Sequence, residues 1–321
     1  MEQVANNCRL TASLNGHASA ALRPANVACR EDMVWIPGGT FLMGSNAFYR
    51  EERPARGETT DGFWIDRHLV TNAQFRRFVE ATGYVTFSER PPTREMYPDA
   101  AEEFLVPGSL VFVKPPRPVS LRDHRAWWAY VPGANWRHPN GPDSSIDLKA
   151  DHPVVHVNHD DAQAYAAWAG KMLPSEIEWE FAARGGLEGA AYPWGDAANP
   201  EGRYLSNTWQ GRFPFENLAE DGFEGTSPVD AFPPNGYGLH DMVGNVWEWT
   251  TTPYVQSFAG GKSCCQREDV DPRKALRVVK GGSHLCAPNY CLRARPAARQ
   301  GESVDSSTCH IGFRCVVRTV Q

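Results

Sequence analysis

Apolar side chains recur at helical spacing in three stretches of the chain, and elsewhere they come in short runs cut by Gly and Pro. In the first stretch Thr71 stands at an N-cap position, Phe75, Phe78 and Val79 repeat on one face, and Gly83 ends the run. The second is a helix expected from Asp160 to Ala169, with Ala162, Tyr165, Ala166 and Trp168 as its buried side and Gly170 as its stop. In the third, Ser175 and Glu178 offer a capping box, because hydroxyl and carboxylate can each satisfy a free backbone N–H of the other's residue. That helix should run to about Arg184, before Gly185-Gly186.

Short strands fit Met33-Val34-Trp35-Ile36, Thr40-Phe41-Leu42-Met43-Gly44 after the turn Pro37-Gly38-Gly39, and Gly62-Phe63-Trp64-Ile65-Asp66. Residues 90–150 hold many Pro, Trp and Gly but no long period, which marks a functional surface more often than filler. Helices and strands do not alternate, so neither a doubly wound sheet nor a barrel fits. The pattern predicts a single loop-rich α+β domain with low regular secondary structure over residues 32–321, preceded by an N-terminal tail of residues 1–31.

Composition sharpens this picture. The 28 Gly, 25 Pro and 11 Trp describe loops packed on flat aromatic side chains, and 41% hydrophobic residues in 321 suffice for a substantial core. A net charge of -6 without a Lys/Arg run argues against nucleic-acid binding. No stretch approaches the roughly 18 apolar residues of a membrane span, and the N-terminus lacks a basic start followed by an apolar run. A cytoplasmic protein is expected, with no membrane partner, and its eight cysteines are then expected as reduced thiols.

Chemistry is concentrated in cysteines and hard oxygens. Cys286 and Cys291 stand five positions apart after Gly281-Gly282, and two soft thiolates suit an ion such as Cu(I). Spacing alone favours a structural disulfide or two ordinary thiols, because C-x4-C is no specific metal pattern. Cys264-Cys265, and Cys309 with Cys315, read as buried or idle thiols rather than a zinc site. His152, His156 and His159 are spaced as ordinary hydrogen-bonded histidines rather than a metal triad. Asn207, Asp221, Asp241 and Glu248 supply oxygens that suit calcium, though by themselves they read as turn-forming residues, and Trp247 and Trp249 would by themselves be core aromatics.

Further segments connect these residues to a known family. They are Ile36-Pro37-Gly38-Gly39-Thr40-Phe41-Leu42-Met43-Gly44, Val70-Thr71-Asn72-Ala73-Gln74-Phe75, Pro153-Val154-Val155-His156-Val157 and Leu173-Pro174-Ser175-Glu176-Ile177-Glu178-Trp179-Glu180. Asn207-Thr208-Trp209-Gln210-Gly211, Glu220-Asp221-Gly222-Phe223, Gly244-Asn245-Val246-Trp247-Glu248-Trp249 and Gly312-Phe313-Arg314-Cys315 follow. With them the chain resembles the sulfatase-modifying-factor family, whose catalytic members are formylglycine-generating enzymes.

The resemblance implies a variant of the C-type-lectin-like fold. It also implies oxidation by O2 of the cysteine in a Cys-x-Pro-x-Arg motif of an unfolded sulfatase to Cα-formylglycine, with a thiol reductant. Cys286 and Cys291 would hold Cu(I), and Ser283 and Trp247 would help place oxygen and wall the site. Two calcium sites are implied as well. One takes Asn207 and Asp221 with the carbonyls of Thr208 and Phe223; the other takes Asp241 and Glu248 with the carbonyls of Gly244 and Val246. A cytoplasmic member of prokaryotic type is expected, because Ala166, Ala183 and Pro296 stand where secreted relatives form disulfides, and a monomer is expected as well.

The sequence departs from the family pattern at Leu292 and Ala294, on either side of Arg293, which bears on client preference. Two rival functions share the fold. One is a small-thiol oxidase, which would need an added His-rich helical domain; the other is a non-catalytic binding module, which would have little reason to keep both cysteines.

Overall fold

A reversal at Gly38, whose φ is 72°, joins strand β1 (Met33–Ile36) to β2 (Gly39–Met43). Only glycine fits there, since a Cβ would lie 2.6 Å from the carbonyl oxygen of Thr60. The computed structural model describes Arg30, residues 32–256 and residues 275–318. Apart from Arg30, the expected tail of residues 1–31 lies outside the described residues, as do Cys8, Cys29, Cys264 and Cys265. Strand β3 (Arg56–Thr60) pairs with β2, and β4 (Phe63–Asp66) pairs with β1, both antiparallel.

Helix α1 (Asn72–Thr82) starts where the sequence predicts: Thr71 Oγ1 accepts from Gln74 N–H at 3.2 Å, Gln74 Oε1 accepts from Thr71 N–H at 2.9 Å, and Gly83 closes the helix in the left-handed region. Strands β5 (Gly108–Phe112) and β6 (Trp128–Pro132) form an antiparallel pair inside the region that showed no period. Helix α2 (His159–Trp168) begins one residue earlier than expected, on an Asn158–Asp161 capping box. Helix α3 (Glu176–Ala183) carries the expected Ser175–Glu178 box, with Glu178 Oε2 accepting from Ser175 N–H at 2.7 Å.

The last third of the chain supplies β7 (Trp247–Pro253), β8 (Leu276–Lys280), β9 (Arg299–Ser303), β10 (Ile311–Gly312) and β11 (Val316–Arg318). They complete a three-stranded sheet in the order β1-β4-β11 and build a four-stranded sheet in the order β10-β7-β8-β9. One aromatic core, with Phe75, Phe78, Trp136, Tyr165, Trp249 and Phe313, fills the space between α1, α2 and β7. A second, with Phe63, Ile65, Trp179 and Phe181, seats α3 on β1, β2 and β4.

Buried ion pairs then fix α3 to the four-stranded sheet. Lys280 Nζ donates to Glu180 Oε2 at 2.8 Å, and Arg299 grips Glu176 through two bonds of 2.7 and 2.9 Å. Charges this deeply buried persist only when paired and hydrogen-bonded. They lock α3 against the end of β8, from which the cysteine loop departs.

Candidate active site

Strand β8 ends at Gly281 and Gly282, with φ of 91° and 72°. A Cβ on Gly282 would sit 2.7 Å from Arg293 O, so the two limbs of the following loop can touch only because this residue is glycine. The loop then turns twice. Cys286 N–H donates to Ser283 O at 2.9 Å, and Cys291 N–H donates to Ala287 O at 2.7 Å. The second turn brings the two Sγ atoms to 3.3 Å. A disulfide bond is about 2.05 Å long, so both are free thiols.

The loop rests on a small aromatic core of Trp127, Trp209, Phe213, Leu285 and Ala287. Tyr290 stacks on Phe213 with ring centroids 4.5 Å apart, and Trp209 N–H donates to Cys286 O at 3.0 Å. On the open side lies a cleft of about 270 Å³ lined by both cysteines, Trp209, Glu220, Leu292 and Ala294 among others. The two positions at which the sequence departs from the family pattern therefore both face this cleft.

The thiols are not equivalent. Cys291 is pulled down, first by its hydrogen bond with Cys286 and then by the charge of Arg293, against the upward push of burial. Cys286 is pushed well up, by the same contact with Cys291 and by burial. Arg293 is itself held by Glu51, Nη2 to Oε1 at 2.5 Å, and lies over the Tyr49 ring at 4.0 Å. Next to it Arg295 makes two bonds to buried Glu52, at 3.0 and 2.5 Å, while Tyr49 Oη accepts from Leu292 N–H at 2.9 Å. Residues 49–52 thus strap the cysteine loop from outside. Sequence reasoning missed this strap. Adjacent Glu51-Glu52 and alternate Arg293 and Arg295 were its only trace.

Two oxygen-rich shells lie behind the loop. In one, Asp221 gathers its neighbours, accepting from Thr208 N–H and Phe223 N–H at 3.0 Å each, while buried Asn207 keeps Oδ1 without a partner. In the other, Asp241 Oδ1 is buried and unpartnered, and burial raises the carboxyl to about 7. Such orphaned acceptors suit a hard cation. Glu248 is more heavily used: Oε2 accepts from Trp179 Nε1 and Arg314 Nε, and Oε1 from Arg314 Nη2 at 2.9 Å. Only Oε1, with a single donor, has capacity for a cation. Gly244 and Val246 lie on the turn between Asp241 and Glu248.

Ser283 is buried and its Oγ accepts from Leu285 N–H at 3.2 Å, which stiffens the first turn. Trp247 belongs to the central core instead, and its backbone N–H donates to His310 O; Trp194 and Trp209 are the tryptophans on the cleft wall. His152, His156 and His159 each bond separately, to Thr226, to Ser109 and Pro139, and to Thr250. Burial holds His156 near 4, as an uncharged side chain. Cys309 is raised to about 11 by burial, and Cys315 is enclosed in the core. Among the described residues no three His, Cys, Asp or Glu side chains form a metal cluster. No helix among them is long and apolar enough to cross a membrane.

Over residues 18–319 the sequence matches the family described as the sulfatase-modifying factor enzyme 1-like domain. The chain belongs to that family. It is 53% identical over 296 residues to a formylglycine-generating enzyme of Mycobacterium tuberculosis, covering 90% of this chain and 98% of that protein. It is also 43% identical over 290 residues to a mouse protein named inactive C-alpha-formylglycine-generating enzyme 2, covering 88% of this chain and 84% of that one. The solved structure of PvdO from Pseudomonas aeruginosa superposes with a TM-score of 0.59 over 92% of this chain and 99% of its own, at 24% identity, a likeness of fold. This sulfatase-modifying-factor chain therefore has the loop-rich α+β variant of the C-type-lectin-like fold, in a single domain.

Proposed function

We propose that this chain is a formylglycine-generating oxidase. Its client is the cysteine of a Cys-x-Pro-x-Arg segment in an unfolded sulfatase, its oxidant O2, and its electron source a thiol reductant. The observation that carries this reading is the pair of free thiols 3.3 Å apart on the wall of an open cleft. A binding module needs no such pair. Copper(I) held by Cys286 and Cys291 would supply the oxygen chemistry. Overall, the client CH2–SH, O2 and two thiol equivalents give the aldehyde, hydrogen sulfide, water and one disulfide.

The chain's own residues bind and position. Arg293 and the bond with Cys286 favour thiolate at Cys291, the form a soft metal requires. Ser283 keeps the turn in register, while Trp247 lies in the central core and does not line the cleft. The cleft takes the client as an extended strand, with apolar Leu292 and Ala294 on its wall setting preference. Calcium at Asn207, Thr208, Asp221 and Phe223, and at Asp241, Gly244, Val246 and Glu248, would replace cross-links in holding long loops. A cytoplasmic monomer is the setting that fits reduced cysteines.

Mass spectrometry of a Cys-x-Pro-x-Arg peptide tests the reading. After incubation with copper-loaded protein, O2 and dithiothreitol, the thiol should be lost and an aldehyde gained. An unmodified peptide would favour the non-catalytic binding module, the reading that the mouse relative's name keeps in view.

A further inference from the structure

Asn245 is fully buried with a φ of 53°, and its polar atoms join four segments of the chain. Its N–H donates to Asn207 O at 2.9 Å. Side-chain Nδ2 donates to Asp241 Oδ2 and to Ser227 O, each at 3.2 Å, and Oδ1 accepts from Ser227 N–H at 3.2 Å. Its carbonyl accepts twice from His284, from the backbone N–H at 2.9 Å and from Nδ1–H at 2.8 Å. His284 lies two residues before Cys286 and one after Ser283.

Three of the buried side-chain oxygens without a partner, Asn207 Oδ1, Ser227 Oγ and Asp241 Oδ1, belong to the residues Asn245 holds. The side that lacks hydrogen-bond donors is thus one bond from Asn245, and the cysteine loop is one bond from it on the other. Gly244 adds a parallel link, its N–H donating to Gly281 O at 2.9 Å. A cation that fixes Asp241 in one shell, or Asn207 in the other, must move or fix Asn245, and Asn245 cannot move without His284.

We propose that Asn245 is a positioning residue that couples cation occupancy of the Asn207 and Asp241 shells to the geometry of the Cys286 and Cys291 thiols. The inference rests on the copper and calcium readings above. Coupling of this kind is reciprocal: if Ca2+ tightens Cu(I) binding by some factor, Cu(I) must tighten Ca2+ binding by the same one.

The test uses the full chain, titrated with Cu(I) against a competing chelator with and without Ca2+, and then with Ca2+ with and without Cu(I). Both affinities should rise by the same factor, about tenfold. Asn245→Gly tolerates the positive φ and keeps the backbone bonds, but loses the side-chain link to Asp241. It should still bind both ions, with the factor clearly reduced, the backbone bonds from Asn245 to Asn207 and from Gly244 to Gly281 carrying what remains. An unchanged factor in this variant overturns the proposal, as does a factor of one in the wild type with both ions bound. If Asn245→Gly does not fold, Asn245→Asp replaces it: this isosteric change turns the donor to Asp241 into an acceptor, and the factor must change. Failure of the wild type to bind Cu(I) at all would instead sink the oxidase reading, and the inference with it.

Discussion

The sulfur atoms of Cys286 and Cys291 face each other at 3.3 Å because Cys291 N–H closes a turn on Ala287 O. Nothing in the separation of five positions requires this. It follows from a loop pinned at Gly282 on one limb, strapped at Arg293 and Arg295 on the other, and floored by Trp209 and Phe213.

Both sulfurs are then needed for a soft metal. Cys286→Ser and Cys291→Ser should each abolish Cu(I) binding and turnover, since a hydroxyl is a harder and far less acidic ligand that adds no bulk. Cys309→Ser should affect mainly stability. Chelator competition and peptide conversion, measured on each variant, check this; full copper affinity in Cys291→Ser would end the two-thiolate site.

The asymmetry of the pair is testable without metal. Iodoacetamide reacts with thiolate, and Cys291 is the partly exposed, lowered thiol, so among Cys286, Cys291, Cys309 and Cys315 its alkylation should set in at the lowest pH and dominate at pH 7. Cys286, Cys309 and Cys315, all raised, should stay largely unmodified in the folded protein. Peptide mapping after a short exposure gives the order.

Removing calcium should lower the melting temperature, because saturation at about 100 times Kd is worth about 2.7 kcal/mol. Asp241 adds a pH signature. Its folded carboxyl stands near 7, above the unfolded value of about 3.9, so in calcium-free protein its contribution favours folding at low pH and is lost as pH rises from about 4 through 7. In chelator at pH 8, Asp241→Asn should melt above the wild type, with the gap closing toward pH 4. Added calcium should reverse the order, and thermal melts across pH with and without Ca2+ decide it.

The strap can be cut at one ion pair. Arg295 and Glu52 are both almost wholly buried, so Arg295→Met leaves an unpaired carboxylate and should cost about 3–5 kcal/mol. Arg295→Met combined with Glu52→Gln should recover much of that stability. Denaturant melts of the two single variants and the double variant form the cycle, and an additive double variant would show that the pair does not act as a unit.

What the sequence determined by itself was local: the starts of α1 and α3, the stop at Gly83, the strands β1, β2 and β4, and the loop-rich character. Caps and turns are decided by residues three or four positions apart, so the chain states them directly. Strands β7 to β9 were not legible, because inward-facing Glu248, Lys280 and Arg299 break the apolar alternation that marks a strand. Their burial depends on partners far along the chain, Glu248 on Arg314 and Lys280 on Glu180. The candidate site divides in the same way. The sequence, with its family resemblance, named Cys286, Cys291 and the oxygen-bearing residues. Only the tertiary structure decided that Arg293 stands by Cys291 and favours its thiolate, that Glu51 and Glu52 strap its loop, and that Asn245 stands between the oxygen-rich shells and the sulfurs. Those relations depend on burial and on charge across more than two hundred positions of chain between Glu51 and Arg293, which no local pattern records.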